Sequence, residues 1–200
     1  GVVCSNCHHP HSNEVLAQDN TLCTQCHVST VFDRPEHQRL GEASPGACCV
    51  NCHMPVETYM VVDDRHDHSF RVPEPYLTLQ LGTPNTCNQC HDDKSAQWAI
   101  DALKSWGVPS GLRAAHAPVL NAAWSGQVAA LPALLSLASQ TSAPAILRAS
   151  ALQASLNIPA RETLEALQQS LASDDPLVRL AAVQSMDWVP LAQRYAMLRD

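Results

Sequence analysis

Apolar residues recur at helical spacing through the second half of the chain. Leu164, Leu167 and Leu171 are three and four positions apart, so a helix would present them on one face. The segment 95–106 has apolar residues at similar spacing and is followed by Gly107, a residue type that often ends a helix. This pattern predicts amphipathic helices and a helical architecture for that part of the protein.

The helical pattern also repeats along the chain. Segment 146–153 aligns with 177–184, 31 residues later, and segment 131–138 aligns with 164–171, 33 residues later. Periods of this length are typical of helical-hairpin solenoids, in which each hairpin packs on its neighbour. We therefore expect a HEAT-like repeat domain over residues 127–200. Such arrays usually need about three or more repeats, so we expect this one to be truncated.

The first half has a different composition, rich in Cys, His, Pro and Asn and poor in aromatic residues. Eight of the nine cysteines form four pairs with two residues between them, and each pair is followed at once by a histidine. The second of the two intervening residues is always an amide. The pairs are Cys4 and Cys7, Cys23 and Cys26, Cys49 and Cys52, and Cys87 and Cys90, and the histidines that follow them are His8, His27, His53 and His91.

This C-x-x-C-H pattern is the attachment motif of c-type haem. The two thiols on a tight turn each form a thioether with one vinyl group, and the histidine ligates the iron. A single C-x-x-C pair is also compatible with a zinc half-site, a redox dithiol or a structural disulfide. Two four-cysteine zinc sites would not require the histidines, however. The repeated motif therefore predicts four covalently bound haem c groups, whose porphyrins would fill the interior of a loop-rich region.

Six histidines lie outside the motifs, and they bear on what the irons can do. Four irons need at most four further ligands, so there are enough histidines for every haem to have two. Met54 and Met60 are the weaker alternatives, and we expect His9 and His66 to remain unligated. An iron with six ligands has no open position and is suited to electron transfer. The expected distal ligands are His11, His37, His68 and His116.

Charge and hydropathy argue against two classes of partner. The formal net charge is -7, with 12 Lys+Arg against 19 Asp+Glu, which is unfavourable for nucleic-acid binding. The chain has no run of about 18 apolar residues, so we expect no membrane span in it. It opens on Gly1, which predicts a mature form or a fragment of a longer protein. Cys48 lies outside the motifs and is expected to be a free, partly buried thiol, with a disulfide to another segment or chain as the alternative.

Several segments resemble a family of bacterial multihaem cytochromes c with doubled C-x-x-C-H motifs. These are DHSFRVPEPYLTLQLGTPNTCNQCHDDKSAQWAIDAL, which includes the fourth motif, CVNCHMP at 49–55, the CHHPH run that contains His8, and AHAPVLNAAWSG at 115–126. In that family the haem region precedes helical repeats of the HEAT or tetratricopeptide type. The resemblance supports the four distal histidines and implies electron transfer at the periplasmic or outer face of a Gram-negative bacterium. Cys48 departs from the family pattern.

Together these observations predict a mainly α protein with three regions. A loop-rich tetrahaem cytochrome c domain is expected at 1–94, connecting helices that cover the haems at 95–126, and the HEAT-like repeats at 127–200. We expect an electron-transfer protein rather than an enzyme, with redox proteins as its partners. The alternatives are a multihaem redox enzyme acting on a small nitrogen or sulfur compound, and a haem subunit that self-associates into a filament.

Overall fold

The computed structural model describes residues 2–41, 43–108 and 115–199. Thirteen α-helices and one two-stranded sheet are found among these residues, which confirms the prediction of a mainly α protein. The chain divides into two compact units, Gly1–Gly111 and Leu112–Asp200. No helix in the described ranges is long and apolar enough to cross a membrane.

The first unit is built from short helices and one hairpin. Two strands, β1 (Val56–Tyr59) and β2 (Asp63–His66), pair antiparallel, with Val56 opposite His66 and Tyr59 opposite Asp63. The longest helix begins after Ser95, whose side chain accepts a hydrogen bond from the Trp98 backbone N–H and caps the first turn. The helices are α1 (Thr21–Thr24), α2 (Ser29–Phe32), α3 (Pro35–Gln38), α4 (Cys49–His53), α5 (Pro75–Leu81), α6 (Thr86–Cys90) and α7 (Ala96–Ser105).

The first unit has very little side-chain core over most of its length. Of the described residues before Ala99, three are buried: Ala47, Pro55 and Pro75. Large apolar side chains that would normally be covered are exposed instead, including Val28, Phe32, Val56, Phe70 and Val72. A conventional core begins only with α7, which packs on α5 and α6 and buries Ala99, Ile100 and Leu103.

The second unit is a stack of helices around a continuous apolar core. Leu134, Leu152, Leu167 and Val178 are fully buried and come from four different helices. Adjacent helices form hairpins, α9 with α10 and α11 with α12, and α10 also packs on α12 while α9 packs on α11. The helices are α8 (Ala117–Trp124), α9 (Leu131–Ser139), α10 (Ala145–Ala154), α11 (Arg161–Leu171), α12 (Pro176–Gln184) and α13 (Leu191–Arg199).

The residues expected to form connecting helices, 95–126, are distributed between the two units. Helix α7 belongs to the first unit because its buried face packs on α5. Helix α8 belongs to the second, since Leu120 and Ala123 join the same core cluster as Leu134. The unit to which each of these helices belongs is decided by the helices it packs on. Its position in the sequence, between the motif region and the repeats, does not decide it.

Candidate haem-binding sites

Each C-x-x-C-H motif lies on a single helical turn. In three motifs the backbone N–H of the histidine donates to the carbonyl of the first cysteine, at 2.8 Å for His8, 3.0 Å for His27 and 2.9 Å for His91. The third motif forms α4 from end to end. On a helical turn, residues at positions i, i+3 and i+4 lie on the same side. The two thiols and the imidazole of each motif are therefore presented together, as covalent attachment to one haem requires.

No two of the motif cysteines, all of which lie in the described ranges, form a disulfide with each other, and several have a raised pKa. Burial raises the pKa of Cys49 to about 12, and the neighbouring Cys23 thiol adds to the shift. Burial is also the main cause that raises the pKa of Cys23, Cys52 and Cys87. A thiol that stays protonated is a poor nucleophile for disulfide exchange at neutral pH. A thioether carries no charge, so burial does not disfavour it.

The two cysteines of one motif are not always covered equally. In the second motif Cys23 is half-buried, whereas Cys26 is exposed, although the Cys26 N–H donates to the Cys23 carbonyl at 3.2 Å on the same turn. The fourth motif has the same asymmetry, with Cys87 half-buried and Cys90 exposed. The buried side chains of this unit are too few to enclose both thiols of a motif. The backbone turn thus brings Cys26 beside Cys23. The attachment of Cys26 to haem stays a prediction.

Two motif histidines have ring orientations typical of metal ligands. The Nδ1–H of His8 donates to the Asn13 carbonyl at 2.9 Å, and that of His53 donates to the Arg71 carbonyl at 2.8 Å. A ring that uses Nδ1 in this way keeps the lone pair of Nε2 available to a metal, and the carbonyl holds its orientation. His27 and His91 instead make aromatic contacts, with Phe32 at 5.4 Å and Trp98 at 4.8 Å between ring centroids.

Two of the predicted distal histidines lie about 6 Å from a motif histidine, measured between ring centroids. The ring centroids of His37 and His53 are 6.2 Å apart and the rings are nearly parallel, at 12°. Those of His8 and His68 are 6.1 Å apart, at 32°. A transition metal holds an imidazole nitrogen at about 2 Å and the ring centre lies about 1 Å beyond, so two imidazoles on opposite sides of one iron are about 6 Å apart. Both pairs fit this separation.

The environments of these two distal histidines also suit ligation. Burial lowers the pKa of His37, and the neighbouring His53 and Arg34 lower it further. The neutral ring that results is the form that binds a metal. His68 donates its Nδ1–H to the His66 carbonyl at 2.8 Å, which leaves its Nε2 available. His66 itself uses Nδ1 on the Met54 carbonyl at 2.7 Å.

The other two predicted distal ligands have different surroundings. His11 is exposed, and its ring centroid is 6.0 Å from that of His9, the residue that follows the first motif. His116 lies immediately before α8 in the second unit and is half-buried. Both assignments therefore stay predictions, and so does the expectation that His9 and His66 are unligated.

The third motif is hydrogen-bonded to the segments that carry the second motif, the fourth motif and His68. Asn20, three residues before Cys23, accepts from the Cys49 N–H at 2.8 Å and donates to the Ala47 carbonyl at 2.9 Å. Thr86, just before Cys87, donates to the Asn51 carbonyl at 2.7 Å. The Arg71 N–H donates to the His53 carbonyl at 2.8 Å, which ties the segment carrying His68 to the third motif. The second motif, the fourth motif and the segment that carries His68 are thus assembled around α4.

The amide side chain inside each motif makes a hydrogen bond. The sequence showed that an amide recurs at this position but did not predict its bonding partner. Each amide bonds a backbone group, and in three motifs that group is within six residues in the sequence. The four bonds join Asn6 with the Val3 N–H, Gln25 with the Leu22 carbonyl, Asn51 with the Pro45 carbonyl and Gln89 with the Val56 carbonyl, at 2.8, 2.8, 2.7 and 3.3 Å.

The sequence did not predict the roles of Asn20 and Thr86. Nothing in their sequence positions distinguishes them from ordinary residues of a loop or of a helix start.

Cys48 precedes α4 and is half-buried, and its thiol is free. It lies close enough to Cys23, Cys49 and Cys52 to contribute to the electrostatic environment of each. Within residues 2–41, 43–108 and 115–199, no three His, Cys, Asp or Glu side chains converge in a way that could hold a metal ion by themselves. A haem iron differs from such an ion, since the porphyrin supplies four of its ligands and the protein only two.

Comparison of the chain with known protein families gave no match. Comparison with curated proteins gave no match either. The same was true of the comparison with solved structures. The function of this protein therefore has to be argued from its own residues and their geometry.

Proposed function

We propose that this protein is a multihaem c-type cytochrome that transfers electrons through four covalently bound haem c groups. The observation that carries the proposal is the short distance from His37 to His53 and from His68 to His8, 6.2 and 6.1 Å between ring centroids, which is close to that of two imidazoles on one iron. These partners are 16 and 60 residues apart in the sequence, so helical periodicity does not account for either pair.

The chain's own residues have distinct roles in this proposal. The cysteine pairs hold each haem through thioethers, and the motif histidines are its proximal ligands. The carbonyls of Asn13 and Arg71 orient two of those rings through Nδ1 and make the metal-binding nitrogen more basic. A bound haem c supplies one-electron redox chemistry at its iron. Two histidines per iron leave no position for a substrate, which favours an electron carrier over an enzyme.

The packing of the first unit supports the presence of a large apolar prosthetic group. Before α7 the unit buries almost no side chain. It nevertheless exposes the apolar side chains of Val28, Phe32 and Phe70, each of which lies close to a histidine that is a predicted ligand. Apolar surface left in water is unfavourable, and a small unit without a core needs other sources of stability. Covalently attached porphyrins provide both an apolar interior and cross-links along the chain.

We place the protein in the periplasm or at the cell surface of a Gram-negative bacterium, because thioether attachment of haem takes place outside the cytoplasm. Its partners in this proposal are redox proteins, and the second unit is a HEAT-like repeat domain that offers them a surface. The net charge of -7 favours partners with basic docking surfaces. Self-association into a filament is compatible with the same chemistry.

The haem content of the purified protein tests the proposal. A mass spectrum of the denatured protein should show the chain plus four haem masses, and changing both cysteines of one motif to serine should reduce this to three. The reduced protein should have low-spin spectra and should bind little carbon monoxide. Free thiols without covalent haem would overturn the proposal. Four haems with strong carbon monoxide binding would favour the multihaem enzyme instead.

A further inference from the structure

Phe32 contacts two histidines that are predicted to ligate different irons. It is the last residue of α2 and lies five positions after His27. Its ring centroid is 5.4 Å from that of His27 and 5.6 Å from that of His37, and the rings meet at 83° and 86°. Both are edge-to-face arrangements at a favourable distance for aromatic pairs. One phenyl ring is thus shared by the predicted proximal ligand of the second haem and the predicted distal ligand of the third.

Two other aromatic side chains of the first unit each contact one predicted ligand. Within residues 2–41 and 43–108, the ring of Phe70 contacts His68 at 6.5 Å and 81°, and that of Trp98 contacts His91 at 4.8 Å and 52°. Phe70 resembles Phe32 in residue type, in its edge-to-face geometry and in being partly exposed. The two phenylalanines therefore differ mainly in how many predicted ligands they contact.

Hydrogen bonds fix the backbone on both sides of this shared contact. The Asp33 carboxylate, directly after Phe32, accepts from Asn20 Nδ2 and from Gln38 Nε2 through the same oxygen, each at 2.7 Å. Asn20 immediately precedes α1, which carries Cys23 of the second motif, and Gln38 directly follows His37. One carboxylate thus joins the segment of the second motif, the end of α2 and the end of α3, and it holds Phe32 near both imidazoles.

We propose that Phe32 is a positioning residue shared by two haems, which orients His27 and His37 and sets the potentials of the second and third haems together. This inference rests on the proposed function, since it takes both histidines as iron ligands. The phenyl ring keeps water from one side of each imidazole. A ferric haem carries one more positive charge than a ferrous haem, and an apolar neighbour disfavours the more highly charged form. Phe32 therefore raises both potentials.

The test is a redox titration of the whole haem-loaded chain, followed by proton NMR of the haem methyl groups, which resolves the haems individually. Phe32→Leu should lower the potentials of two haems, and Phe32→Tyr, which keeps an aromatic ring, should restore both. Phe70→Leu is the matched control and should change one potential, because Phe70 contacts His68 alone among the predicted ligands. Should Phe32→Leu lose a haem, Phe32→Met provides the same test with another apolar side chain.

Removing individual haems identifies the two that respond. With serine at Cys4 and Cys7, Phe32→Leu should still lower two potentials and Phe70→Leu none. With serine at Cys23 and Cys26, Phe32→Leu should lower one.

Two kinds of failure are distinguishable. Fewer than four haem masses on the unaltered chain would contradict the proposed function itself. If all four haems are present and low-spin, the role of Phe32 is wrong when Phe32→Leu changes one potential or none, or when Phe32→Tyr has the same effect as Phe32→Leu. It is also wrong if Phe32→Leu and Phe70→Leu change the same haems.

Discussion

At the level of single residues, two predicted ligands from distant parts of the sequence lie close together. His68 is 60 residues from His8 in the sequence but 6.1 Å from it between ring centroids. Its segment is bonded to the third motif and the residues after it: the Arg71 N–H donates to the His53 carbonyl and the Asp67 N–H to the Pro55 carbonyl. The predicted distal ligand of the first motif is thus positioned by the backbone around the third.

Alanine at either distal position should open one iron. We expect His68→Ala and His37→Ala each to convert one of the four haems to a five-coordinate, high-spin form that binds carbon monoxide when reduced. Difference spectra of the reduced protein with carbon monoxide measure this change. His66→Ala is the control, since His66 is two residues from His68 and should leave all four irons unchanged.

The pairing itself can be checked by removing the first haem. In a protein with serine at Cys4 and Cys7, His68→Ala should add no carbon monoxide binding, because the iron it serves is missing. His37→Ala should still add one equivalent in that background. If the two substitutions behaved alike there, the assignment of His68 to the first motif would be wrong.

At the level of elements, the contacts between motif-bearing helices depend on a few polar side chains. Asn20 joins α1 to α4: its Oδ1 accepts from the Cys49 N–H, and its Nδ2 donates to the Ala47 carbonyl and to Asp33 Oδ1 at 2.7 Å. The bonds to Cys49 and Ala47 are partly buried, so water replaces them poorly. Because this unit has so small a side-chain core, these hydrogen bonds contribute an unusually large part of its stability.

We expect Asn20→Ala to destabilise the first unit by about 2–3 kcal/mol, because it removes two hydrogen bonds to the segment of the third motif and one to Asp33. Denaturant titration of the haem-loaded protein, followed by its visible spectrum, measures the loss. Gln38→Ala is the matched control, since it removes a single bond to the same Asp33 carboxylate at 2.7 Å and should cost about 1 kcal/mol or less. Equal effects would mean that the bonds to α4 contribute little.

In the second unit, stability depends on apolar packing instead. Leu167 is fully buried in α11, and Leu167→Asp would place an unpaired charge in the core. We expect a loss of more than about 3 kcal/mol in that unit, measured by thermal unfolding with circular dichroism. Gln168→Asp, on the exposed side of the same helix, should have little effect. The haem spectrum should survive both changes, and its collapse in Leu167→Asp would show that the units do not fold independently.

For the whole molecule, the predicted ligand set includes residues of both compact units. His116 is the predicted ligand that belongs to the second unit, where it immediately precedes α8. If His116 ligates an iron, that bond contributes to the folding free energy as well as to the potential of the haem.

We expect His116→Ala to open one iron to carbon monoxide. His116→Met should raise the potential of one haem and leave the other three nearly unchanged, because a thioether ligand favours the reduced iron. His9→Ala is the control for both measurements. If His116→Ala left all four haems low-spin while His9→Ala opened one, the assignment of His116 would be wrong.

Local patterns in the sequence were sufficient to predict the motif turns and the amphipathic helices. A C-x-x-C-H motif occupies five consecutive residues, so one helical turn brings its thiols and imidazole together without help from the rest of the chain. The spacing of Leu164, Leu167 and Leu171 likewise predicted α11, where Leu167 is fully buried. Features whose geometry is set within a turn or two of backbone are readable from residue order alone.

Tertiary structure alone decided the features that depend on residues far apart in the chain. The pairing of His68 with His8, the bonds of Asn20 to the third motif and the division of 95–126 between two units all belong to this class. Each depends on the path of the chain through many weak packing contacts, which leave no periodicity and no motif in the sequence. The exposure of Leu180 is of the same kind: it aligns with Ala149 in the 31-residue repeat, yet Leu180 is 51% exposed and Ala149 3%.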